Sequence, residues 1–254
     1  MRLVLLCLLL AGCWTPLPSA TSSAAASPSL HVDGLVRVVS QADLTVWRVP
    51  STAAADRLQP PLRAGALLYL TSGPRAVNGA AWWQVQPDDQ RNPGGQFGWV
   101  LEQGTNGVAN LLAVQPACPG SGGSIDAAAI HGLGMLSALA CFGNREIGLS
   151  GLVHCSSGAV DAAVAGPSWF ATPVFCNLDD TLNLYGSPLD ALVQTSNPST
   201  DRYALRGHFD DPEARSCAWI KFGPLINRPV TLDDAAAVIG CRELFVVTSI
   251  TKLD

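Results

Sequence analysis

Six cysteines fall between residues 118 and 241: Cys118, Cys141, Cys155, Cys176, Cys217 and Cys241. No two are spaced as C-x-x-C, so the close ligand pairs that a zinc site with His131, His154 or His208 needs are missing. The chemistry this set predicts is oxidative pairing into three disulfides, with all fifteen connectivities of six cysteines open. The densest polar cluster is His208-Phe209-Asp210-Asp211-Pro212-Glu213. Three carboxylates and an imidazole so close together are the material of acid–base catalysis or of a cation site. The same residues also spell a helix start, with Asp211 as N-cap, Pro212 at the first helical position and Glu213 in the first turn. That reading leaves only His208 and Asp210 without a structural task. Asp179-Asp180 and Asp233-Asp234 repeat the Asp-Asp theme, and the second pair reads as another helix N-terminus. Gly120-Ser121-Gly122-Gly123-Ser124 departs from the G-x-S-x-G nucleophile elbow and follows no buried strand. No catalytic residue, metal ligand or cofactor is assigned.

The elements that carry these residues follow an address. Residues 3–10 are an apolar run after Met1 and Arg2, far short of the ~20 residues a membrane-crossing helix needs, and they read as the core of a signal peptide. Leu10-Ala11-Gly12-Cys13 is similar to a bacterial lipobox, which implies a signal peptide over 1–12 and a lipid on Cys13. Pro18-Ser19-Ala20 is the alternative cleavage site, and it would make a secreted protein. Either way the six remaining cysteines reach an oxidising compartment. Residues 13–30 are rich in Ser, Ala, Thr and Pro and read as a flexible tether.

The 254 residues carry 15 Lys+Arg against 20 Asp+Glu, a formal net charge of −5, and their only lysines are Lys221 and Lys252. That leaves no basic stripe for phosphates and excludes nucleic acid as a partner. With 24 Gly and 18 Pro, the composition favours short strands and turns, and a mostly β fold. Short apolar alternations bounded by turn residues recur at 35–39, 44–47, 66–70, 82–86 and 98–100. Alternation puts Trp83 inward beside Val85 and points Trp82 outward. Residues 116–124 read as a hinge. A modest helix is expected over 125–141, then strands near 146–154, 181–185, 203–209 and 243–250. The long first strand with its central glycine predicts a small closed β-barrel of OB type over 125–254.

Leu44, Val46, Arg48, Pro50 and Ser51, then Leu62 and Gly65, then Trp82-Trp83-Gln84-Val85 and Gly98-Trp99-Val100 together resemble the bacterial SH3 (SH3b) domain in order and spacing. The resemblance covers 31–115 and implies a small SH3-like barrel. It implies binding of cell-wall peptide or glycan, or of another envelope protein, with Trp82, Trp47 and Tyr69 as candidate contact aromatics. Ala140-Cys141-Phe142-Gly143, residues 207–212 and residues 241–248 are similar to an uncharacterised module of exported bacterial proteins. The expected protein is a non-enzymatic lipoprotein anchored outside the cytoplasm. Its alternatives are a wall hydrolase using Asp210, Asp211 and His208, and a structural spacer.

Overall fold

The computed structural model describes residues 29–88, 96–120, 124–157, 164–171, 174–193, 201–219 and 232–253. The segment expected as a signal peptide, Cys13 and nearly all of the expected tether lie outside the described residues. The chain is mostly β, built around two main sheets.

The first sheet is formed by β1 (Leu35–Val38), β2 (Leu44–Trp47), β3 (Arg57–Leu62), β4 (Leu67–Val77), β5 (Ala80–Pro87), β6 (Gly98–Leu101) and β7 (Leu111–Val114). Its order is β3-β2-β6-β5-β4-β1-β7. The sheet curls around its own core. Val36 and Val38, Leu44 and Val46, Leu62, Leu68 and Leu70, Trp83 and Val85, Val100 and Leu111 all point into it, each strand contributing by alternation. β4 is bent by two irregularities between Leu70 and Arg75, which let one long hairpin serve the curve. Gly98 has to be a glycine, since a Cβ there would meet Val46 and the carbonyl of Trp47 at about contact-violating range.

The second unit opens with β8 (Ser124–Asp126), α1 (Ala127–Leu133) and α2 (Met135–Phe142). The single helix expected over 125–141 is therefore a short strand and two helices. Gly134 breaks it, with a φ of 86° that ends α1 and starts α2. Then come β9 (Ile147–Ser157), β10 (Val164–Ala165), β11 (Val174–Leu178), β12 (Leu182–Tyr185), α3 (Asp190–Val193), β13 (Arg202–His208), β14 (Ala218–Trp219), α4 (Leu232–Arg242) and β15 (Phe245–Lys252). The main order is β11-β12-β15-β13-β9-β8, and β11 also pairs with β9. That extra pairing closes a ring of five strands, β9-β11-β12-β15-β13. All its pairings are antiparallel except β12 with β15. β9 can pair on both sides because it is long, and Gly151 lets it accept the β11–β12 turn. Asp179, at φ 49°, accepts a hydrogen bond from the Leu152 N–H at 2.8 Å, and a Cβ on Gly151 would strike its carboxylate.

Three disulfides staple this unit: Cys118–Cys141, Cys155–Cys176 and Cys217–Cys241. Cys118–Cys141 ties the connector to α2, so the segment expected as a hinge is pinned to the second unit. Cys155–Cys176 joins a directly opposed pair of β9 and β11. Disulfides persist in oxidising compartments, which puts the chain outside the cytoplasm. Among the described residues no helix is long and apolar enough to cross a membrane.

The two units share a core. Leu35, Leu67 and Tyr69, from the outer side of the first sheet, pack in one cluster with Leu136, Leu139 and Phe142 of α2 and with Phe209. Phe97 and Val114 close its border. The β4-β1 part of the outer face of the first sheet is thereby covered, while Trp47, Trp82 and Trp99 of β2, β5 and β6 are not members of this cluster.

Candidate functional site

Strand alternation decides which side chains occupy the rest of that face. Val46 and Leu58 face the core, so their neighbours Trp47 and Arg57 face outward as a direct cross-strand pair. Trp99 pairs with both Trp47 and Gln84. Trp82 pairs with Leu101 on one side and with Arg75 on the other. The outer face therefore reads across the strands as Arg57, Trp47, Trp99 and Gln84, with Trp82 and Arg75 one step further along.

Trp82 does face away from the core, but it is not a solvent-side residue. It is only 2% exposed and Trp47 only 8%, and their rings meet edge to face across β6 with centroids 5.2 Å apart. Tyr69 is 1% exposed and belongs to the contact between the two units. The expectation that these three aromatics form an open contact platform is corrected accordingly. Trp99, half-buried at the edge of the pair, is a surface member that sequence reasoning counted only as part of the Gly-Trp-Val strand. Its pairing with Gln84 and Trp47 follows from alternation once the strand register is known.

The polar accounting of this face is incomplete. The indole N–H groups of Trp47 and Trp82 are buried with no acceptor, and the Oε1 of Gln86, on the same side of β5, is buried with no donor. Such orphans are rare and costly, about 1–3 kcal/mol each. Trp83 and Trp169 show the normal outcome. The Trp83 Nε1 donates to Glu102 at 2.8 Å and the Trp169 Nε1 to Asp211 at 3.1 Å. Gln84 accepts from the Thr71 hydroxyl at 3.2 Å. Arg57 and Arg75 are exposed, and neither makes an ion pair with a described residue. The face thus holds two buried indole donors without acceptors beside two exposed cationic side chains.

The titratable groups of the 208–213 cluster are occupied. Asp211 caps the 3-10 helix Pro212–Ser216 by accepting from the Glu213 N–H at 2.7 Å, and its other oxygen lies 3.6 Å from the His208 Nε2. Glu213 accepts from the Ser168 hydroxyl at 2.8 Å. Asp210 turns the other way. Arg242 Nε donates to its Oδ1 at 2.6 Å and Nη2 to its Oδ2 at 3.0 Å. The same Nη2 reaches Asp33 Oδ1 at 2.8 Å and the Tyr69 hydroxyl at 3.3 Å, and Tyr69 donates to Asp33 at 3.0 Å. Arg242 is 4% exposed and lies over the Tyr69 ring at 5.7 Å. Burial alone would lower the Arg242 pKa, but the bonds to Asp210 and Asp33 hold it above its ordinary value. Burial pushes the Tyr69 hydroxyl well up, against the opposing pull of Arg242. This network joins the two units.

A hollow of about 500 Å³ lies across β8, β9, β13 and β15, lined by Ser124, Glu146, Arg206, Ser249 and Thr251. Its charges are paired with each other. Arg206 donates to Glu146 at 3.0 Å and Thr248 adds a bond at 3.2 Å, and together they hold the Glu146 carboxyl below its usual range. The six cysteines are consumed by their bridges. Compared with family models, curated proteins and solved structures, the chain matches none, so the site rests on its own residues.

Proposed function

We propose that this chain is an exported, non-enzymatic binding protein of the bacterial cell envelope, held at the membrane by a lipid on Cys13. Its SH3b-like N-terminal unit contacts cell-wall peptide or glycan, or an envelope protein, through the outer face of β2, β6 and β5. Its OB-like C-terminal unit is the rigid base on which that face is carried. The OB-like reading draws support from the order β9-β11-β12-β15-β13 with β12 and β15 parallel.

The observation that carries the binding role is the pair of unpartnered indole N–H groups on Trp47 and Trp82, on a sheet face bordered by two exposed arginines that make no ion pair among the described residues. A buried donor without an acceptor is kept at a cost, and a ligand acceptor removes that cost. The test is co-sedimentation of the full exported chain with purified peptidoglycan, comparing wild type, Trp82→Phe and Asp211→Ala. Retention that weakens in Trp82→Phe, which keeps a ring but loses the N–H, supports the reading. Equal absence of all three from the pellet contradicts it and moves the role to a spacer. Soluble fragments released by wild type but not by Asp211→Ala would make the chain a hydrolase.

A further inference from the structure

We infer that the outer face of β2, β6 and β5 takes an acidic peptide, its carboxylates held by Arg57 and Arg75 and its backbone carbonyls by the indole N–H groups of Trp47 and Trp82. This deepens the binding role proposed above and rests on it.

The chemistry of the ligand follows from what the face leaves unused. Trp47 and Trp82 commit their rings to each other at 5.2 Å and are buried, so neither offers the open flat face on which a sugar ring stacks. What remains, among the described residues, are two donors without acceptors and two guanidinium groups without counter-ions. Guanidinium matches carboxylate in shape as well as in charge, and an indole N–H matches an amide carbonyl. A peptide with acidic side chains supplies both.

The layout also sets how such a peptide lies. The edge strand β3 carries Pro60 and Pro61, which have no N–H, so the ligand is not accepted as an added strand there. It has to cross the strands. From Arg57 on β3 to Arg75 on β4 the order is β3-β2-β6-β5-β4, four strand spacings, or about 19 Å before curling. At roughly 3.3–3.6 Å per extended residue, carboxylates about five positions apart reach both arginines. The indole N–H groups lie beneath the cluster surface at rest, so binding must turn the rings. That movement couples occupancy to tryptophan emission.

The test uses the full exported chain and a labelled ten-residue peptide with two glutamates five positions apart. Its comparison probes are the glutamine twin, the lysine twin and an oligogalacturonide. Anisotropy titration is expected to show the glutamate peptide binding at least tenfold tighter than either twin. Binding should weaken with added salt and be accompanied by a change in tryptophan emission. Arg57→Gln and Arg75→Gln should each raise Kd by about two- to fivefold, as exposed charge pairs do. The double reversal Arg57→Glu/Arg75→Glu should raise it by about tenfold or more, while Arg202→Glu on the second unit stays within about twofold. Both arginines are exposed, and unchanged thermal melts confirm that the variants fold. Equal binding of the glutamate and glutamine peptides, no response to the double reversal, or tighter binding of the oligogalacturonide overturns the inference. Retention on peptidoglycan that still depends on Trp82, with no preference for the acidic peptide, refutes this inference alone. Loss of both refutes the binding role itself.

Discussion

Replacing Arg242 by Met keeps the length and apolar contacts of the side chain but removes the charge that joins the two units. Asp210 then loses two hydrogen bonds, Asp33 and Tyr69 lose one each, and two carboxylates face each other without a cation. Breaking a buried ion pair by removing one partner costs about 3–5 kcal/mol. Asp210 and Asp33 keep 22% and 47% of their side chains exposed, so water recovers part of that loss. The lower end applies, about 3 kcal/mol, equivalent to a fall in Tm of roughly 6–12 °C for a chain of this size. Urea titration followed by tryptophan fluorescence measures it, with Asp210→Asn, Asp33→Asn and the double variants completing two mutant cycles. Arg242 should couple to Asp210 by about 2 kcal/mol and to the more exposed Asp33 by about 1 kcal/mol or less. The variant should also unfold in two steps, since among the described residues the units are then joined mainly by the apolar contact around Leu35, Leu67 and Tyr69. A loss under about 1 kcal/mol, or a single unchanged transition, would refute the idea that this network locks the units together.

The raised pKa of Tyr69 gives a pH dependence with a definite sign. The folded state favours the protonated phenol, so its contribution is complete below the unfolded value of about 10 and is lost as pH rises beyond it. Thermal melts between pH 8 and 11.5 should fall on the alkaline side, and Tyr69→Phe should flatten that fall; a parallel curve for the variant would count against the assignment. Each disulfide closes a loop of 21–24 residues. Each should contribute about 3 kcal/mol, read as the drop in urea midpoint of the paired Cys→Ala variants. Asp211→Ala should cost about 1–2 kcal/mol, since it removes a cap and the acceptor of the Trp169 N–H together. Gly151→Ala should destabilise by about 1–3 kcal/mol, because the new methyl displaces the Asp179 carboxylate from β9; wild-type stability there would refute the tight β9–turn contact.

Local chemistry made much of this legible in the residues. Alternation located β1, β2, β4, β5 and β6, and put Trp83 in the core beside Val85 and Val100. Asp211-Pro212-Glu213 announced the cap of its helix, and six cysteines beyond residue 117 announced three bridges. What failed to show were relations over long separations. Alternation turns Trp82 to the outer side, but it does not show that the ring meets Trp47 from a strand two places away. Tyr69 read as a surface aromatic because nothing local reveals that Phe142 and Arg242 arrive from the second unit to cover it. Asp33 and Arg242 are 209 residues apart, and the pairing of the cysteines depends on β9 and β11 being neighbours. The break within 125–141 falls at Gly134, a position that apolar periodicity does not register.

The central claim is that the β2-β6-β5 face meets the ligand through the indoles of Trp47 and Trp82. Indole N–H resonances of the ¹⁵N-labelled full chain test it directly, because each tryptophan reports separately. On adding soluble peptidoglycan fragments, the Trp47 and Trp82 signals should shift as their N–H groups gain acceptors. Those of Trp83 and Trp169, already bonded to Glu102 and Asp211, should stay in place. Shifts confined to Trp169, or no shift in any indole at saturating fragment, would contradict the account.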